Sequence, residues 1–336
     1  MTNRSCIAKY LSTPLKIGTG ETAVTVPNRL FLAPMSGVSD LPFRRIASRE
    51  GAGLVFSEMV ASRELTEGHP ESELRMAGRG IPIHAVQLAG RAAEWMGAAA
   101  RRAEAAGAQL IDINMGCPAK KVTGGASGSA LMRDLDHALT LVERTVRSVS
   151  VPVTLKMRLG WDDRSINAPE LAARAEAAGV SMLTVHGRTR CQFYEGRADW
   201  RAVRAVVDAV AIPVVVNGDI IDANAAINAV ERSGATAAMI GRATYGRPWW
   251  VGDVARQLVG DRLAFRDYGV LAAEHYEAML SHYGLALGLR CARKHVRSYC
   301  ERMGVDPTLR AELLRTNDPN LVVNSLASYA AVDLAA

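Results

Sequence analysis

The stretch "AGAQLIDINMGCPAKK", residues 106–121, holds the change of structure from which the fold can be read. An alanine-rich stretch of helical type ends at Gly107, where a helix C-cap belongs. A short apolar run, residues 110–115, then reads as a strand and stops at Cys117, wedged between Gly116 and Pro118. The same succession recurs along the chain. Further β-like runs begin near residues 29 ("RLFLAPM"), 53 ("GLVFSEM"), 83 ("IHAVQL"), 153 ("VTLKMR"), 182 ("MLTVHG"), 214 ("VVVNGD") and 237 ("AAMIGR"). Helical stretches such as "RAAEWMGAAARRAEAAGA" and "APELAARAEAAGV" fill the intervals, and Gly179 and Gly234 stand before the next strands as Gly107 does.

Eight strand–helix units predict an α/β chain, a (β/α)8 TIM barrel. The runs read as continuous rather than alternating, as parallel strands covered on both faces do. An open doubly wound sheet is the alternative. Eight units over roughly 220 residues lie nearer the ~250 typical of a barrel. From about residue 251 the strand signal vanishes, and Leu285, Leu289, Ala292, Val296, Tyr299 and Met303 recur at helical spacing. The expected organisation is a barrel over 1–250 followed by a small C-terminal helical bundle over 251–336.

Composition is that of an ordinary globular protein, 49% hydrophobic and 22% charged. The net charge of +6 permits a polyanionic partner, although solubility alone explains such an excess. Five cysteines, none at CxxC spacing, argue against a disulfide framework or a zinc site and make a reducing cytoplasm the expectation. The first residues lack a signal-peptide core, and runs such as "AVAIPVVV" are too short to span a bilayer. We expect no metal and no membrane association, and a monomer.

The interval from residue 110 to residue 153 is 43 residues, the longest between strands, and the excess follows Cys117. Barrel chemistry sits on the loops after the strands, so this cysteine belongs to the working rim. The strand ends bring Pro34, Met35, Glu58, Gln87, Asn114, Lys156, Arg158, His186, Asn217, Gly218, Asp219, Gly241 and Arg242 to one pocket. This is a polar, cationic, amide-rich set that stability alone does not require. The "NGD" and "IGRA" turns end the seventh and eighth strands, where barrels often bind phosphate, and Gly218 and Gly241 allow close approach of an anion. A buried lysine at residue 156 calls for something anionic opposite it, a reduced flavin being one candidate.

Read together, "APMSGVSDLPFR", "FSEM", "INMGCPAKKV…GSALMRD", "VTLKMRLGW", "TVHGRTR", "VVNGDI", "MIGRATYGRPW" and "YGLALGLRCARKHVRSYC" resemble the tRNA-dihydrouridine synthases, most of all the bacterial B-type branch. The resemblance covers roughly residues 25–300. Its one departure is the glycine-rich "TGGASG" after Lys121, which leaves the ordering of the 119–133 loop open. It implies an FMN enzyme that reduces particular uridines of tRNA to 5,6-dihydrouridine with NADPH. It implies that Pro34, Met35 and Ser36 line the flavin, that Gln87 bonds the ring edge, and that Lys156 and His186 face its pyrimidine side. Asn217, Gly218, Asp219, Gly241 and Arg242 would hold the phosphate tail, Asn114 would contact the uracil, and Cys117 would give the proton.

The chemistry agrees with those roles. Reduction of C5=C6 needs a hydride at C6 and a proton at C5, and an ordinary thiol, with a pKa near ~8.5, carries a proton to give at neutral pH. A nucleoside inside folded tRNA must be turned out into the pocket, which requires grip on the backbone around it. Lys120, Lys121 and Arg133 add positive charge at the mouth, with Arg158 beneath as a further substrate contact. Arg290, Arg293, Lys294 and Arg297 recur at three- and four-residue steps opposite the apolar stripe and form a basic ridge. "HGRTR" and Arg197 could extend it. The rival readings are a flavin barrel acting on a free pyrimidine and a barrel kept only as an RNA-binding module.

Overall fold

The computed structural model describes residues 3–261 and 267–329. Its strands are β1 (Leu15–Ile17), β2 (Val24–Val26), β3 (Leu30–Leu32), β4 (Leu54–Val55), β5 (Val60–Ala61), β6 (Ala85–Ala89), β7 (Leu110–Met115), β8 (Val153–Arg158), β9 (Met182–His186), β10 (Val214–Asn217) and β11 (Ala237–Ile240). From β3 onward they form one parallel sheet in the order β4-β3-β11-β10-β9-β8-β7-β6-β5. The two ends of that order are neighbours in sequence: β4 lies in the expected second strand, which breaks at Ser57, Glu58 and Met59, and β5 follows directly after it. Phe56 bridges in parallel to Ala85, and Ser57 N–H donates to the Ala85 carbonyl at 3.0 Å, so the sheet curls back onto itself. The nine strands are the eight units of a TIM barrel.

The runs alternate more than their polarity suggested. Along β7, Ile111, Ile113 and Met115 join the large core under the surrounding helices, while Leu110, Asp112 and Asn114 point the other way. Along β8 the outer set is Val153, Leu155 and Met157, and the inner set Thr154, Lys156 and Arg158. Phe31, Ala85, Leu110, Met182, Val215 and Ala237 make an apolar plug at the strands' N-terminal ends. The β1–β2 hairpin closes that end with Leu15, Ile17, Val24 and Val26. Polar side chains occupy the opposite, C-terminal half of the interior. This gradient, apolar below and polar above, sets the position of the site.

Two further elements escaped the strand pattern: the hairpin and an N-terminal helix, Asn3–Leu11. Arg4 of that helix donates to Asn228 at 2.7 Å and to Asn224 at 3.2 Å. The expected division at 250/251 falls inside the helix Trp250–Val259, whose Val251, Val254 and Leu258 belong to the barrel's core. The C-terminal helices are Tyr268–Tyr283, Leu285–Met303, Pro307–Leu313 and Pro319–Ala327. Asp306 and Asp318, each followed by proline at the first helical position, cap the last two. Ala292, Val296, Tyr299 and Met303 pack into a second apolar cluster with Trp249, as the helical spacing predicts. Leu285 does not join them and stands 58% exposed.

Candidate active site at the barrel rim

Register brings the polar strand ends together. Gln87 pairs with Asp112, Asn114 with Lys156, Arg158 with His186, and His186 with Asn217. A chain of hydrogen bonds crosses the floor of the site. Thr154 donates its hydroxyl to Asp112 Oδ1 and Gln87 donates Nε2 to Oδ2, both at 2.6 Å. Asn114 donates Nδ2 to Gln87 Oε1 at 2.7 Å. The Asn114 side-chain oxygen Oδ1 accepts the backbone N–H of Gly116 at 3.2 Å and of Cys117 at 3.0 Å. The expected uracil contact is thus also the residue that fixes the turn into the cysteine.

Cys117 is half-buried and free. Its carbonyl accepts from Ser129 N–H at 3.1 Å and from Ser129 Oγ at 2.8 Å. The long loop therefore folds back over it, as a short helix, Lys120–Thr123, and a 3-10 turn, Gly128–Arg133. Lys120 and Lys121 are exposed at this mouth. Arg133 and Arg190 stack on Trp161, at 4.9 Å and 4.7 Å from the ring centre, and tie the loop to the next one.

On the opposite side Lys156, 9% exposed, donates Nζ to Asn217 Oδ1 at 3.1 Å, and Asn217 donates Nδ2 to the Met239 carbonyl at 2.9 Å. Burial pulls the Lys156 ammonium down to about 8, opposed by the charge of Asp112. Burial likewise lifts Asp112 to about 6, with hydrogen bonds from Thr154 and Gln87 resisting. His186 lies well below its ordinary range, first through burial and then through Lys156, Arg158, Arg188 and Arg242, so it is neutral. A Cβ on Gly218 would lie 2.8 Å from Ala198 Cβ and 2.9 Å from His186 Cδ2, and its φ is +111°. Only glycine lets this turn lie against the histidine.

Three residues of the rim are held by contacts within the protein. Asp219 turns its carboxylate to Arg188, at 3.0 Å and 2.6 Å, and to Arg242 at 3.0 Å. Arg188 itself is 1% exposed, so the "HGRTR" segment does not extend an RNA-facing ridge there. Arg158 is equally buried and donates to the carbonyls of Gly116 (2.8 Å), Thr189 (2.7 Å) and Phe193 (2.8 Å). Burial takes its pKa down to about 10. It braces the wall behind Cys117. Pro34 and Met35 are half-buried and Ser36 exposed, in the loop after β3, and Gly241 follows β11 beside Met35. The Asp112 and Thr154 contributions were missed, although both stand two residues before an expected site residue on the same strand face.

A cationic, amide-lined pocket at the C-terminal rim of a closed parallel barrel, with a thiol on the loop above it, defines a barrel oxidoreductase. A model of the dihydrouridine synthase family matches residues 31–334. A probable tRNA-dihydrouridine synthase of Rhizobium leguminosarum bv. phaseoli is 54% identical over 315 residues, 93% of this chain and 98% of that one. The tRNA-dihydrouridine synthase B of Pseudomonas aeruginosa is 42% identical over 311 residues, 91% of this chain and 93% of that protein. Among solved structures, the old yellow enzyme homologue of Zymomonas mobilis shares the fold at TM-score 0.53 and 15% identity, over 76% of this chain and 94% of its own. The chain belongs to the dihydrouridine synthase family.

Proposed function

We infer that this protein reduces uridine in tRNA to 5,6-dihydrouridine, using a bound flavin mononucleotide replenished by NADPH. The donor set fits that cofactor. Pro34, Met35 and Ser36 would lie along the ring, with Gln87, Lys156 and neutral His186 at its polar edge. Asn217, Gly218, Asp219, Gly241 and Arg242 would hold the phosphate tail, Asp219 by fixing Arg242. When bound and reduced, the flavin supplies a hydride to C6 of the uracil.

The rest falls to the chain's own side chains. Asn114 has one amide hydrogen left for a uracil carbonyl after bonding Gln87. The Cys117 Sγ–H gives its proton to C5, and solvent restores it. Lys156 and Arg158 both lie within electrostatic reach of that sulfur, so the charge left on it has two cations near. The folded-back 119–133 loop limits water around the base while it reacts.

The helix Leu285–Met303 presents Arg290, Arg293, Lys294 and Arg297 to solvent. A groove of about 480 Å³ beside it is lined by Arg297, Arg310 and Arg315, with Glu301 at 3.6 Å from Arg310. These cations support RNA-backbone binding by the C-terminal helices. No helix among the described residues is long and apolar enough to cross a membrane.

The observation that carries the reading is the Thr154–Asp112–Gln87–Asn114 chain ending on the Cys117 amide, which holds the thiol loop to the pocket floor. The test is anaerobic single turnover. Protein purified with flavin is bleached by NADPH and regains its colour with unmodified tRNA. Cys117→Ala keeps flavin and tRNA affinity and forms product some 10²–10⁴-fold more slowly, the share a general acid contributes. Equal turnover by C117A would remove the acid role. Reoxidation by orotate but not by tRNA would move the enzyme to free pyrimidines.

A further inference from the structure

Gly37, in the loop after β3, is the meeting point of three side chains from distant parts of the chain. Its N–H donates to Glu58 Oε1. A Cβ built on it would collide with Lys294 Nζ, so the lysine's ammonium occupies the space that any other residue would fill. The ring of His295, 4% exposed, lies close to the same backbone, with its Nε2 buried and without a hydrogen-bond partner among the described residues. The φ of +71° at Gly37 is one that glycine adopts most readily.

Behind this point runs a buried polar seam between barrel and helices. Asp40 caps the helix Leu41–Arg49 by accepting Phe43 N–H at 3.0 Å. Its carboxylate also lies 3.9 Å from His275 Nε2 and accepts from Tyr283 OH at 3.4 Å. Tyr299 OH meets His275 Nδ1 at 2.9 Å, and the His275 and His295 rings pack edge to face at 4.8 Å. Burial, reinforced by His275, drives His295 down to about 3, so it enters this junction uncharged. Apolar side chains could hold two units together at less desolvation cost. The polar seam, with its Tyr299–His275 bond and edge-to-face rings, instead favours one relative placement.

We propose that Lys294 and His295 are positioning residues, adjacent side chains of one C-terminal helix that fix the 34–40 loop at Gly37, so that the unit gripping the nucleic acid also sets the shape of the flavin pocket. The proposal rests on the flavin reading above for its second half only. Lys294 belongs by sequence spacing to the basic ridge. It is exposed as the ridge arginines are, and its long side chain brings the ammonium beside Gly37 of the barrel loop, where its charge favours the Glu58 carboxylate without forming an ion pair. It acts through the loop and touches neither substrate nor the reacting atoms.

The test compares Lys294→Met and His295→Gln with Arg293→Met and Arg297→Met on the same helix. Three quantities are read in full-length protein: amide exchange over residues 35–38 with and without flavin, the rate of flavin release, and tRNA affinity. For K294M the loop amides should exchange about tenfold faster in both forms, because local opening is no longer restrained. Flavin should leave several-fold faster, with tRNA affinity within about twofold of wild type. R293M and R297M should show the converse, weaker tRNA binding and an unchanged loop. H295Q should follow K294M. Unchanged loop exchange in K294M would return Lys294 to the ridge and overturn the proposal. Faster exchange with unaltered flavin release would overturn its second half alone. A wild-type protein that takes up no flavin would refute the cofactor reading, while exchange in that protein would still decide the role of Lys294.

Discussion

A carboxylate and an ammonium buried two pleats apart in a barrel titrate against the grain of their types. Asp112 is lifted to about 6 by burial, and Lys156 is drawn down to about 8 by the same cause. Between about pH 4 and pH 6 the unfolded chain has released the Asp112 proton and the native protein still holds it, so stability falls as pH rises through that window. Between about pH 8 and pH 10.5 the unfolded chain keeps a Lys156 proton that the native state has lost, and stability rises with pH. Asp112→Asn preserves the size of the side chain and its bonding to Gln87 or Thr154, while removing the first slope. Its stability relative to wild type should therefore grow by up to about 3 kcal/mol from pH 4 to pH 6.5, measured by urea unfolding across that range. Parallel curves for the two proteins would mean that Asp112 ionises as an ordinary carboxylate.

At the scale of the strand, the inner face of each run passes from apolar to polar toward the rim, and the turn beyond it must bring backbone close to what the pocket holds. Gly218 and Gly241 occupy equivalent turns but differ in need. Gly218 has φ +111° and would drive a Cβ against the His186 ring. Gly241 has φ −115°, and a Cβ there would meet Ala33 and Met35 at 3.5 Å and 3.7 Å, ordinary contact. Gly218→Ala should thus cost about 1–3 kcal/mol, lower Tm by several degrees and shift His186, whereas Gly241→Ala, which meets no such collision, should cost less. Thermal melts of the two variants decide it. The same inner-face rule explains what could be read in advance. In "LIDINM" and "VTLKMR" the polar residues fall at every second position, so Asp112 and Thr154 share a face with Asn114 and Lys156. The β1–β2 hairpin was not legible, because three-residue strands give too short a period to separate from loop. Nor was the fate of Arg188. Spacing names a face, and only the folded chain supplies Asp219 opposite it.

Taken as a whole, the molecule joins a barrel to C-terminal helices, and their junction is specified by residues far apart in sequence. Asp40 and His275 meet across 235 positions, a pairing no local pattern announces. The helical stripe did announce the basic face opposite it, and the fold keeps Arg290, Arg293, Lys294 and Arg297 exposed there. If they bind phosphates, each releases condensed counterions, and the logarithm of tRNA affinity should fall linearly with the logarithm of salt concentration. Replacing Arg290, Arg293 and Arg297 by methionine one at a time should flatten that line by about 0.7–0.9 for each phosphate left without its cation. The weakening should be uniform across tRNAs of different sequence, because backbone phosphates carry no base information. Filter binding or fluorescence anisotropy from about 50 to 300 mM salt reads the slope directly. A triple variant with the wild-type slope would make the ridge a solvated helix face and move RNA binding to the mouth of the barrel, where Lys120 and Lys121 stand.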